Sequence, residues 1–157
     1  MQSPKKHIAI GTDGAGTELV KIISTHLTQL GFEVEDFGVE NLYPDIALAV
    51  AQSVESGTHD RDILICGTGI GVCITANKVP GIRAAVCHDS YSAQRARKSN
   101  DCQIMTLGAR VVGEELAKNL VDIWLDSEFE PGRSAEKVER ISEIEREIHP
   151  DARPVSC

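Results

Sequence analysis

The chain has 157 residues, 41% hydrophobic and 25% charged, with a formal net charge of −8. That length suits one domain with its own core, and the acidic balance excludes a surface for nucleic acid or anionic membrane, which demands a basic face. No apolar run approaches the roughly 20 residues of a membrane span, and the opening MQSPKKHIAIG lacks a signal-peptide core, so the expected location is the cytoplasm.

The five cysteines are Cys66, Cys73, Cys87, Cys102 and Cys157. They lack the close pairing of a zinc site or a redox CxxC motif, so reduced thiols are expected, with Cys73, Cys87 and Cys102 acting as small hydrophobes.

Short apolar runs alternate with stretches of helical period. Residues 7–11 read as a strand. Residues 17–30 carry Leu19, Ile23, Leu27 and Leu30 at helix spacing and close at Gly31. Residues 32–37 are a second strand, Tyr43-Pro44 a turn whose proline opens a helix, and 46–54 that helix. A third strand over 62–65 runs into the loop CGTGIG, followed by a helix over 72–78 that stops at Pro80-Gly81. Residues 82–87 form a fourth strand, 90–98 a helix and 102–107 a fifth strand. Residues 113–125 are an amphipathic helix with Val112, Leu116, Leu120 and Ile123 or Trp124 inward. Residues 135–148 are another, with a stripe of Val138, Ile141, Ile144 and Ile148, and 149–157 are expected to form a loose tail beyond a single domain over 1–148.

Strands joined by single helices impose right-handed crossovers and a parallel sheet covered on both sides. The expected fold is therefore a doubly wound, Rossmann-like α/β domain of about five strands with helices on both faces. Ligands in such sheets bind outside the carboxyl ends of the strands. Those ends carry Thr12-Asp13, Cys66-Gly67-Thr68, His88-Asp89 and Gly108 to Arg110. The loop GTDGAG at 11–16 lacks the spacing of a dinucleotide fingerprint, and no GK[ST] follows either glycine loop, which excludes a P-loop. Asp13 can equally be a helix cap.

Cys66 admits three chemical readings. A phosphatase would place arginine six positions on, where this chain has Val72. A cysteine hydrolase needs a histidine partner, and nothing in the spacing selects His59 or His88. In the third reading, Gly67, Gly69 and Gly71 let backbone N–H groups converge ahead of a helix start, forming an oxyanion site beside a thiolate. Together they could remove a proton next to a carbonyl and hold the resulting charge. A structural cysteine in an anion-binding loop is the alternative.

The segments IGTDGAG, LYPDIA, ILICGTGIGVCITANKVPGIRA, YSAQRAR, SND, LGARVVG and GRSAEKV, spread over residues 6–148, resemble the type B ribose-5-phosphate isomerase family. That family includes galactose-6-phosphate isomerase subunits and tetrulose-phosphate isomerases. The resemblance implies an aldose-ketose isomerase that interconverts ribose 5-phosphate and ribulose 5-phosphate through a cis-enediolate without cofactor or metal. It implies that Cys66 is the base, that Thr68 and the amides of Gly67 to Gly71 stabilise the enediolate, and that Asp13 orients sugar hydroxyls. Tyr43 and Asn100 would contact the sugar, and Arg110, Arg133 and Lys137 the phosphate, with Arg140 a further candidate. It also implies a homodimer or homotetramer whose subunits share each site.

Two departures stand out. Many members have histidine where this chain has Gly14 and Ser99, and neither residue titrates near neutral pH. The second of those histidines opens the furanose ring. Three explanations follow: an acyclic substrate such as a tetrose or tetrulose phosphate, a substitute imidazole from His88, or a non-catalytic sugar-phosphate-binding subunit.

Overall fold

The computed structural model describes residues 7–151. Five strands, β1 (His7–Asp13), β2 (Glu33–Glu40), β3 (Asp62–Cys66), β4 (Ala84–Val86) and β5 (Ile104–Gly108), form one sheet in the order β2-β1-β3-β5-β4. Every pairing is parallel. The chain steps outward from β1 to β2 and then returns to lay β3 on the other side of β1. The strand order therefore reverses between β1 and β3, and the carboxyl ends of these neighbours bear Asp13 and Cys66.

Helices α1 (Thr17–Gln29), α4 (Ser90–Lys98) and α5 (Glu114–Leu125) cover one face, and α2 (Tyr43–Glu55) and α3 (Ile70–Ala76) the other. Strand alternation sets the two cores. Ile8, Ile10, Ile63, Ile65, Met105 and Leu107 meet α1 and α5, whereas Ala9, Leu64, Cys66 and Ile104 meet α2 and α3. Both β3 and β5 are buried along their whole length, as central parallel strands must be.

Several expectations shift. Helix α2 begins at Tyr43, three residues early, because Pro44 is accommodated in the first turn. Helix α3 starts at Ile70, directly against the glycine loop, and β2 runs on to Glu40 past a register break opposite Ile10 and Thr12. In α5 the inward residues are Ala117, Leu120, Val121, Trp124 and Leu125. Leu116 is 42% exposed, because the helix rolls its small Ala117 onto the sheet.

Helix α6 (Ala135–Ile148) departs most. Its apolar stripe exists, but Ile141, Ile144 and Ile148 are exposed and the helix has no buried residue. It is tied to the body by the Gly81 amide, which donates to Glu145 at 2.7 Å. Residues 152–157 of the expected tail lie outside the described residues.

No helix among the described residues is long and apolar enough to cross a membrane. Cys66, Cys73, Cys87 and Cys102 are free thiols. Burial pushes the Cys87 thiol up to about 12 and that of Cys102 up to about 11, which suits their packing role.

Candidate functional site

Strand β3 delivers Cys66 to the carboxyl edge, where the side chain is 4% exposed. The chain then turns through Gly67, Thr68 and Gly69 into α3. Gly69 has φ +76°, and a Cβ on it would lie 2.8 Å from the Leu107 carbonyl carbon. Glycine is required there on both counts. Gly108 meets the same crossing from the other side, since a Cβ on it would come 2.7 Å from the Thr68 carbonyl. The two glycines let the loop lie flat across the end of β5.

The Gly69 N–H donates to the Cys66 sulfur at 3.1 Å, and the Ile70 N–H donates to the Thr68 hydroxyl at 3.2 Å. The loop is held from the β5 side by the Ala109 amide on the Cys66 carbonyl, 2.8 Å, and the Arg110 amide on the Gly67 carbonyl, 3.0 Å. Arg110 lies over the loop, with its Nη1 3.4 Å from the position of a Cβ on Gly67.

Asp13 accepts the Ala15 N–H at 3.0 Å, the cap expected of it, through one carboxylate oxygen. Tyr43, on the first turn of α2, lays its ring against Gly71, where a Cβ would stand 2.8 Å from the phenol oxygen. This contact explains the third glycine of CGTGIG, which makes room for the tyrosine. His88 reaches the same edge, and its Nε2 accepts the Gly108 N–H at 2.9 Å. Burial lowers its pKa and Asp89 opposes the shift. Among the described residues no atom lies within 4 Å of a Cβ on Gly14, so this corner is open.

Asn100, Arg133 and Lys137 lie elsewhere. The Asn100 carbonyl accepts Nε of Arg83, the residue that precedes β4, at 3.0 Å, which puts Asn100 at the amino edge of the sheet. Lys98 accepts the Glu130 amide there, and a cavity of about 480 Å³ is lined by Arg95, Lys98, Ser99 and Arg133 among others. Lys137 follows Arg133 by one turn. Within one chain, Cys66, Thr68, Asp13, Tyr43, His88 and Arg110 gather at the carboxyl edge, while Asn100 and Arg133 lie at the other.

Ion pairing separates the cations. Arg61, Arg83, Arg95, Arg97, Lys98 and Arg146 each meet a carboxylate, and Arg140 meets both Glu143 and Glu147. Both partners of Arg140 lie C-terminal to it on the same helix, so this candidate is already engaged. Arg110, Arg133 and Lys137 have no such partner among the described residues, and Lys78 shares that condition. In a chain of net charge −8, unpaired arginines are informative.

Sequence reasoning missed two features. Thr106 donates to the Gly69 carbonyl at 2.8 Å and so anchors the loop from beneath; the one polar residue in the apolar run IMTLG was the available signal. At the amino edge, buried Asp62 accepts the Ala9 N–H at 2.7 Å and lies 2.8 Å from the Ser53 hydroxyl, with His59 beside it. His59 is therefore far from Cys66, while the Nε2 of His88 is engaged by an amide. Neither histidine is bonded to the thiol, which removes the geometric basis of a cysteine hydrolase. Among the described residues no group of three or more His, Cys, Asp or Glu could hold a metal ion.

The family model described as Ribose/Galactose Isomerase matches residues 8–141. The chain belongs to that family. A ribose-5-P isomerase B of Listeria innocua is 57% identical over 88% of this chain and 97% of its own length. A D-erythrulose-4-phosphate isomerase of Pectobacterium atrosepticum is 54% identical over 89% and 95%. Among solved structures, the ribose-5-phosphate isomerase B of Clostridium thermocellum superposes with a TM-score of 0.88 at 51% identity, covering 90% of this chain and 99% of that one. The match to the ribose/galactose isomerase family thus covers the sheet from Ile8 onward and every candidate site residue named above.

Proposed function

We propose that the protein is an aldose-ketose isomerase in which Cys66 moves a proton between C1 and C2 of an open-chain sugar phosphate. The thiolate takes the proton from one carbon, the electron pair passes to the carbonyl oxygen to give a cis-enediolate, and the thiol returns the proton to the neighbouring carbon. Thr68 and the amides of Gly67 to Gly71 hold the enediolate charge, and Asp13 orients the hydroxyls that exchange protons. The observation that carries this reading is the Cys66 sulfur fixed by the Gly69 amide within a loop overlain by an unpaired arginine.

A complete site in this reading needs two subunits. Arg133 and Lys137 supply the phosphate contacts and Asn100 a sugar contact from the amino edge of a second copy, which favours a homodimer or homotetramer. The unpaired cations and the uncovered stripe of α6 support it. Mixing Cys66→Ala with Arg133→Ala tests it. Two inactive homodimers should recover about a quarter of wild-type activity, from mixed dimers with one intact site. No recovery after subunit exchange refutes the shared site.

Of the family's substrates, an acyclic tetrulose 4-phosphate fits better than ribose 5-phosphate. Ser99 stands where ring opening would want an imidazole, Gly14 replaces the family's other histidine, and the Nε2 of His88 is already occupied. A tetrulose phosphate, blocked at its C4 oxygen, closes no five-membered ring through that atom, so nothing need be opened. The Pectobacterium relative's name agrees. Ribose 5-phosphate is the second reading, favoured by the name of the Listeria relative. Comparing turnover of erythrulose 4-phosphate, erythrose 4-phosphate and ribose 5-phosphate decides between them; no turnover of any favours a longer sugar phosphate or a binding subunit.

A further inference from the structure

Strand β4 is short. Its last paired residue, Val86, stands opposite Thr106, whereas β5 continues two residues further to Gly108. The Gly108 N–H thus projects beyond the ladder, where no backbone carbonyl of β4 receives it. The imidazole of His88 fills that gap, accepting the proton at Nε2 over 2.9 Å.

Gly108 is the residue on which the reactive loop rests. It is paired with Cys66 across the sheet, its backbone crosses Thr68 with no room for a side chain, and its carbonyl accepts the Val111 and Val112 amides. The segment that follows it holds the Cys66 and Gly67 carbonyls through Ala109 and Arg110. We propose that His88 is a positioning residue for the isomerase reaction: its ring replaces the missing strand carbonyl, fixes Gly108, and so sets where Thr68 and Gly69 stand relative to the Cys66 sulfur.

This inference rests on the isomerase reading and reassigns a residue that could otherwise be taken for the substitute ring-opening acid. A ring that accepts at Nε2 must be neutral and carry its proton on Nδ1. Burial, which lowers the pKa of His88, keeps it in that form. The role requires an acceptor at one point in space, with no proton transfer.

Glutamine separates the two roles, because its amide oxygen can occupy the place of Nε2 and it does not titrate. His88→Leu should lower kcat about tenfold or more with little change in KM, since a misplaced oxyanion site costs rate before affinity. His88→Gln should return kcat to within about threefold of wild type. Hydrogen exchange at the Gly108 amide and alkylation of Cys66, followed by peptide mass spectrometry, should change in the leucine variant and revert in the glutamine variant.

A glutamine variant as slow as the leucine one, with Gly108 still protected, overturns the proposal in favour of proton transfer. A leucine variant with wild-type kcat overturns it outright. If His88→Leu fails to fold, His88→Gln decides alone: a folded, active and protected variant upholds the role, and an inactive one refutes it. Should the wild type isomerise no sugar phosphate, the isomerase reading falls, while exchange at Gly108 and alkylation of Cys66 still judge the positioning.

Discussion

Replacing Asp62 by asparagine should stabilise the protein, and increasingly so as the pH rises. Asp62 opens β3 with no exposed surface, and desolvation raises its pKa from 3.8 to about 7, against the hydrogen bonds from Ala9 and Ser53. Glu35 and Asp60 push it further in the same direction. The hydrogen bonds agree with a protonated acid. The Ser53 hydroxyl lies 2.7 Å from the Val50 carbonyl and 2.8 Å from Asp62 Oδ2, yet has one proton to give. With Asp62 ionised, that one proton is shared between Val50 and Asp62; once Oδ2 is protonated it donates to Ser53 instead and leaves the Ser53 proton for Val50.

The folded state therefore holds a proton on Asp62 through a range in which the unfolded chain has released it. The stability this confers is complete below pH 4 and is lost as the pH rises through about 7. At about 1.4 kcal/mol for each tenfold change, the gap between 3.8 and about 7 sets a ceiling of about 4 kcal/mol.

Asparagine reproduces the neutral acid, with its carbonyl accepting from Ala9 and its amide donating to Ser53. Asp62→Asn should match the wild type near pH 4 and gain up to about 4 kcal/mol at pH 8. Urea denaturation between pH 4 and 9, at one fixed protein concentration, reads this difference. An unchanged pH slope, or a variant weaker at pH 8 than at pH 4 relative to wild type, refutes the reasoning. Isomerase activity should not change, because Asp62 and Cys66 are at opposite ends of β3.

Cys66→Ala should fold normally and still bind sugar phosphate, but solvent deuterium should no longer enter the substrate; exchange above a tenth of the wild-type rate would mean another base. Gly69→Ala should cost about 1–2 kcal/mol from the left-handed backbone alone, plus the overlap with Leu107 and Gly108, and should lower kcat more than a hundredfold. Wild-type melting and rate in that variant would show that the loop is not held as described. Ser99→His should raise ribose 5-phosphate turnover if ring opening limits it, and leave erythrulose 4-phosphate turnover unchanged. An equal effect on both sugars would break the link between Ser99 and the ring.

The order of strands and helices was legible because both periods are local: DILIC and IMTLG are apolar runs of strand length, and Leu19, Ile23 and Leu27 recur at the turn of a helix. Cys66 and the glycines of its loop were also visible, since a glycine-rich turn between a strand and a helix limits what the backbone can do. Element ends were less so. Tyr43 joined α2, where it meets Gly71, through a contact 28 positions away that no local pattern encodes. The stripe of α6 declared an amphipathic helix but could not say that the chain's own sheet would leave it uncovered.

Which edge of the sheet a residue occupies depends on strand order, and this alone separated Arg133 and Asn100 from Cys66. Charge is decided in the same way: Arg140 and Arg133 look alike in sequence, yet one is doubly paired and the other meets no carboxylate among the described residues, because pairing depends on which carboxylates the fold brings within reach. His88 shows the limit most plainly. Its place at the end of a strand could be read from sequence, but its bond to Gly108 exists only because β4 stops two residues before β5 does.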